Sequence, residues 1–186
     1  MAEMNDSFNE VTAEMLKVIS DYDSVTGFQG AYNIRQDSMC AGRKNSENIT
    51  IESKTDKPGI NIRVKPGTKG ETVYIPACVT HSNVDDLVYN DFFIGEGADV
   101  TTVAGCGVHS DGSETARHNG IHRFFLEKGA KVLYKEKHIG TGKGTGLRRI
   151  DPVTDAYLKE DSYLEMDTVQ LRGVDRTTRS TSAVLE

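Results

Sequence analysis

The side chains able to do chemistry crowd into one part of the chain: Cys78, His81, Cys106, His109, His118, His122, Glu136 and His138. Grouped thiol, imidazole and carboxylate can hold a soft or borderline metal ion, or keep a thiolate reactive. Cys78-Val79-Thr80-His81 and Cys106-Gly107-Val108-His109 both have metal-ligand spacing, and His118 and His122 follow four residues apart. Positions three apart on an extended strand face opposite sides, so each Cys-x-x-His pair chelates only across a turn. Glycines flank Cys106 and permit that turn. None flanks Cys78, which reads as a buried thiol in a strand. A four-ligand zinc set of Cys106, His109, His118 and His122 is one arrangement this spacing allows.

Other signatures fail. Gly140-Thr141-Gly142-Lys143-Gly144-Thr145-Gly146 invites a nucleotide-binding reading, but Gly rather than Ser or Thr follows Lys143 and no helical pattern comes after it. It reads as a flexible glycine loop ending in Arg148 and Arg149. No Gly-x-Ser-x-Gly elbow and no His-Glu-x-x-His run is present, so the chain is not read as an enzyme.

What would bring the candidate ligands together is a repeat. Phe93-Ile94-Gly95-Glu96-Gly97-Ala98-Asp99-Val100 is echoed 32 residues on by Phe125-Leu126-Glu127-Lys128-Gly129-Ala130-Lys131-Val132, and again by Tyr157-Leu158-Lys159-Glu160-Asp161-Ser162-Tyr163-Leu164. In each copy two apolar residues precede a turn at Gly97, Gly129 or Asp161, and alternating strand formers follow. A fixed period of this size means one unit stacked on copies of itself, an all-β parallel solenoid. Aligned on the period, Val100, Val132 and Leu164 share a column, as do Thr102, Tyr134 and Met166, then Ala104, Glu136 and Thr168, then Cys106, His138 and Gln170. Side chains two apart share a face, so Cys106 stacks on His138 with Glu136 beside it, provided the strands run that far. If they do not, the column is an accident of numbering.

Ahead of the repeat, residues 5–20 read as a helix with Phe8, Val11, Met15, Leu16 and Ile19 on one face and Asn5, Asp6 or Ser7 as cap. Residues 1–30 are therefore helix and linker, and 31–186 the β-helix core. Arg43-Lys44-Asn45-Ser46 looks like a hairpin or loop tip. Ile60-Asn61-Ile62-Arg63-Val64 and the segment 71–79 read as strands of an imperfect preceding coil, and 110–119 and 140–146 as projecting loops. Thr181-Ser182-Ala183-Val184-Leu185-Glu186 opens a further strand and stops, so the core reads as truncated at its C-terminal end, with end-to-end pairing of the open coil expected.

Composition sets outer bounds. The 186 residues suit one domain, and 18 Gly with no Trp suit a turn-rich β protein. A charge of 22 basic against 28 acidic residues argues against nucleic acid as partner. No apolar run reaches the roughly 18 residues of a membrane span, and three irregularly spaced cysteines point to reduced thiols in the cytoplasm.

Taken together, Cys106-Gly107-Val108-His109, His118-Asn119-Gly120-Ile121-His122, Tyr134-Lys135-Glu136-Lys137-His138, the glycine tract and Met166-Asp167-Thr168-Val169-Gln170 resemble the SufB/SufD family, core components of the Suf machinery for iron–sulfur cluster assembly. The resemblance is close over 74–185 and loose before that. It implies a right-handed parallel β-helix that pairs with a second SufB/SufD-type chain. In full length it would dock a SufC-like ABC ATPase through C-terminal elements absent here. It further implies a scaffold for a transient iron–sulfur cluster, with Cys106, Glu136 and His138 at the assembly site and His109 and His122 as further candidate metal ligands. Two readings stay open at this point: a cluster-assembly scaffold, and a structural β-solenoid that binds a partner and no metal.

Overall fold

The structure is a computed structural model and describes residues 7–186. It opens on one helix, α1 (Glu10–Ile19), shorter than the expected 5–20. Asn5 and Asp6, two of the three expected caps, lie outside the described residues, and Ser7 precedes the helix. The cap is Asn9, whose side chain accepts from the Thr12 amide at 2.9 Å and donates to Thr80 Oγ1 at 2.9 Å. Met15, Leu16 and Ile19 pack on Ile34, Cys78 and Ile139, so the helix lies against the outside of a sheet.

Sixteen strands follow, β1 (Ala31–Gln36), β2 (Met39–Lys44), β3 (Ile49–Ser53), β4 (Gly59–Val64), β5 (Lys69–Tyr74), β6 (Ala77–Val79), β7 (Asp85–Ile94), β8 (Asp99–Val103), β9 (Cys106–His109), β10 (Ala116–Leu126), β11 (Lys131–Thr141), β12 (Arg148–Ile150), β13 (Val153–Leu158), β14 (Tyr163–Arg172), β15 (Arg176–Thr177) and β16 (Ser180–Leu185). They form two sheets of stacked parallel rungs, a β-solenoid of about four turns. The register follows the sequence period: Phe92 pairs with Phe124, Val100 with Val132, Val132 with Leu164, and Cys106 with His138. The turns stack too, with Gly67 N–H donating to Glu96 O, Gly97 N–H to Lys128 O and Gly129 N–H to Glu160 O at 2.9–3.0 Å. Gly67, Gly97, Gly129 and Asp161 all have positive φ, a conformation glycine and aspartate tolerate.

The stacked parallel coils are those the period predicts, and the details around them differ. To the parallel coils are added two antiparallel hairpins, β1–β2 and β3–β4, whose β2 and β3 line the outer edges of the first rungs. The first hairpin turns at Asp37-Ser38, both at positive φ, while of Arg43-Lys44-Asn45-Ser46 the first two end β2 and Asn45 and Ser46 open the loop before β3. Asp37 is held there by Thr80, whose amide and hydroxyl both donate to its carboxylate. The tract 110–119 is not one loop, since β10 begins at Ala116. Nor is the glycine tract loose: Gly144 N–H donates to Ser110 O and Gly146 N–H to Gly112 O, both at 2.9 Å. A Cβ on Gly146 would stand 1.9 Å from Glu114 O, so glycine is there for close approach.

Candidate functional site

The alternation of β10 and β11 turns Ala116, His118, Gly120, His122, Phe124 and Leu126, and Val132, Tyr134, Glu136 and His138, into the solenoid. One half of that interior is apolar, with Phe92 stacked on Phe124 at 4.3 Å and Tyr134 edge-on to Phe124. The other half ends in a smaller apolar cluster of Val79, Cys106, Val108, Ala116 and Ile150. Between them lies a buried polar layer containing Asp86, Asn90, His118, His122, Glu136 and His138. Buried polar groups persist only when partnered, and most of these are. His118 Nδ1 lies 2.9 Å from Asp86 Oδ2, and Arg35 clamps the same carboxylate. His122 Nδ1 lies 2.9 Å from the Tyr134 hydroxyl, which donates to Glu136 Oε1 at 3.0 Å. Arg179 pairs with the other Glu136 oxygen.

Within this layer the ligand atoms of Cys106, Glu136 and His138 all lie within 4.8 Å of one another, and all three residues are buried. His138 Nδ1 lies 3.2 Å from Gln170 Oε1, which leaves Nε2 turned toward the group. That nitrogen is 3.2 Å from Glu136 Oε1 but off the hydrogen-bond direction, so it is close to the carboxylate without a bonded partner. Thiol, carboxylate and imidazole nitrogen on one point can coordinate iron or zinc. The protonation states suit a site that waits for a cation. Burial pushes the Cys106 thiol well above its ordinary range, and the negative Glu136 adds to it. A low thiol pKa, the property sequence reasoning attaches to a reactive cysteine, is therefore not built in here. Burial also pushes Glu136 up, but His138 and Arg179 outweigh it and hold the carboxyl at about 2. Burial lowers His122 to about 4, so it is neutral at physiological pH.

The structure sets the other candidates apart. β9 runs straight through Cys106 and His109, and no turn brings the pair together. His109 Nδ1 lies 2.9 Å from Thr141 Oγ1, beside α1. The glycines beside Cys106 serve the helix, since a Cβ on Gly105 would meet Ile19 O at 2.2 Å and one on Gly107 would meet Met15 Sδ at 2.4 Å. Cys78 is fully buried in β6 under α1, its thiol pushed up to about 12 by burial. His81 is exposed, and His122, bonded to the Tyr134 hydroxyl, is not one of the three residues whose ligand atoms meet. Tyr134 and Arg179 were not legible as site residues. Tyr134 shares an apolar column, and Arg179 comes from a coil where the 32-residue spacing has lapsed.

A cleft of about 220 Å³ leads from the surface to this layer. It opens between the two N-terminal hairpins, past Arg35, Cys40, Arg43 and Lys54, and reaches Cys106, His118 and His122. Over 89 residues the chain is 30% identical to a protein of Methanothermobacter thermautotrophicus (strain Winter). That relative is named an iron–sulfur cluster assembly SufBD family protein. The alignment covers 47% of this chain and 21% of the relative, so the shared stretch is about a fifth of the relative's length. No family model matches the chain, and no solved structure matches it. No helix among the described residues is long and apolar enough to cross a membrane.

Proposed function

We propose that the chain is a non-enzymatic, cytoplasmic scaffold for iron–sulfur cluster assembly, with Cys106, Glu136 and His138 holding iron or sulfide as cargo. The observation that carries this reading is the meeting of three different ligand atoms inside 4.8 Å, all buried, on a chain similar to a named assembly protein. The cleft supplies a way in for small ions. Binding expels a proton: Cys–SH and Fe²⁺ give Cys–S–Fe and H⁺, and the cation supplies the stabilisation of thiolate that the empty surroundings withhold. Arg179 holds Glu136 Oε2 and leaves Oε1 toward His138 Nε2, so the carboxylate can offer one oxygen to a cation while the contact with the last coil stays in place. In the whole protein, the partners on this reading are a second SufB/SufD-type chain and a SufC-like ABC ATPase.

The test is anaerobic reconstitution with ferrous iron and sulfide. Wild-type protein should gain visible charge-transfer absorbance and stoichiometric iron, and Cys106→Ala and Glu136→Gln should lose most of both while keeping the β-rich circular dichroism. If Cys106→Ala leaves absorbance and iron content unchanged, the thiol is a packing residue and the chain is a structural solenoid.

A further inference from the structure

His118 and His122 lie on the same face of β10 with Gly120 between them. Because glycine leaves the space empty, the two rings lean into it. A Cβ built on Gly120 would stand 2.9 Å from His122 Nε2 and 3.2 Å from His118 Nε2. Both nitrogens therefore border one small volume, and both residues line the cleft that opens to solvent.

The hydrogen-bond network fixes which nitrogen of each ring carries the proton. Asp86 is held ionised, because His118 and Arg35 outweigh the upward push of burial, so its oxygen only accepts and His118 Nδ1 is the donor. The Tyr134 hydroxyl spends its own proton on Glu136, so it accepts from His122 Nδ1. In both rings Nδ1 is thus the donor, and Nε2 faces the volume over Gly120. His122 Nε2 has one long contact there, the Asn90 amide nitrogen at 3.4 Å, while Asn90 Oδ1 is buried without a partner beside the same cleft. Each imidazole is backed through Nδ1 by a carboxylate, directly by Asp86 and through Tyr134 by Glu136, the arrangement that orients a metal-ligating histidine.

We propose that His118 and His122 bind one divalent transition-metal ion of the zinc, cobalt or ferrous class over Gly120, a site distinct from Cys106, Glu136 and His138. An ion there stands clear of the Gly120 backbone on the cleft side, with both Nε2 atoms drawn to a metal–imidazole bond of about 2.1 Å, and Asn90 Oδ1 with water from the cleft completes the coordination. Two protein nitrogens and open positions make an exchangeable site, since a structural one closes with four protein ligands. The proposal does not depend on what Cys106 does.

The experiment is anaerobic Co²⁺ titration of a Cys106→Ala variant, followed by visible absorption and calorimetry. One equivalent should bind without thiolate-to-metal charge transfer. His118→Asn, His122→Asn and Gly120→Ala, each added to that background, should weaken it by about tenfold or more. Gly120→Ala keeps both imidazoles in the chain but fills the space and pushes the His122 ring aside, and its thermal midpoint reports whether the fold survives. Independently of any substitution, ¹⁵N spectra of the wild-type imidazoles should show two Nδ1–H rings whose Nε2 resonances move on adding Zn²⁺. Absence of Co²⁺ binding in Cys106→Ala, undiminished binding in Gly120→Ala, or Zn²⁺ shifts confined to His81, His109 or His138 would each overturn the site. Loss of iron–sulfide uptake in Cys106→Ala bears on the assembly reading alone, so the two can fail separately.

Discussion

Cys106 is a poor nucleophile and a good trap. With its thiol raised by burial and by the Glu136 charge, it stays protonated until a cation arrives. Metal affinity at this site should therefore climb with pH across the neutral range, by up to about tenfold per unit for one released proton. Ferrous titrations at pH 6.5, 7.5 and 8.5 check this, and a flat profile means that the metal is not on the thiol. Arg179 acts in the opposite sense to a ligand, because its guanidinium sits on Glu136 Oε2 and sets a positive charge close behind Oε1, the oxygen beside His138 Nε2 that a cation would meet. Two positive charges this close oppose each other by about 1–3 kcal/mol at the effective dielectric of a partly buried site, so Arg179→Gln should tighten metal binding by roughly ten- to hundredfold. The readout is the same ferrous titration, and weaker binding would mean that Arg179 organises the site instead of opposing the cation.

Elements here are positioned by close backbone stacking as much as by side-chain packing. The glycine tract is the clearest case: Gly142, Gly144 and Gly146 lie so near the previous coil's 110–114 backbone that any Cβ collides with it. Gly146→Ala should lower stability by about 1–3 kcal/mol, seen as a lower denaturant midpoint with iron uptake retained, whereas a neutral effect would mean the tract can lift away freely. That rigidity was not legible in the sequence, where seven residues with four glycines look flexible, because the constraint comes from a neighbour 32 residues away. The period itself was legible, since Phe93, Phe125 and Tyr157 form a stacked ladder at 5.1 and 5.0 Å that only an unbroken register allows. So was Cys106 over His138, which follows from counting. The last coil was not: Leu158 pairs with Leu185, a step of 27, because that coil has no counterpart of the glycine tract. Arg179 reaches Glu136 only through that shortened step. The His122–Tyr134–Glu136 chain was hidden for another reason, as it crosses between sheets and no column of a single strand contains it.

For the whole molecule, the buried polar layer is a liability as well as a site. A solenoid interior filled with Val, Ile and Phe would be indifferent to pH, but this one encloses groups whose protonation differs between folded and unfolded chain. His122 is lowered by burial from an ordinary 6.5 to about 4, so between those values the unfolded chain binds a proton that the folded chain refuses. Stability from this group is fully present above pH 6.5 and is lost as pH falls toward 4, with a slope of at most about 1.4 kcal/mol per pH unit. Glu136 adds a second loss lower down: its folded value of about 2 lies below the ordinary 4.5, so its contribution is present above 4.5 and disappears as pH falls toward 2. Urea midpoints from pH 8 to pH 3 should accordingly show a plateau, a decline beginning near 6.5 and a steeper one below 4.5. His122→Gln should remove the upper step and leave the lower, even if its plateau is reduced by the lost Tyr134 contact. A wild-type midpoint that holds level from pH 6.5 to pH 5 would show that His122 is reached by water and is not held neutral inside the solenoid.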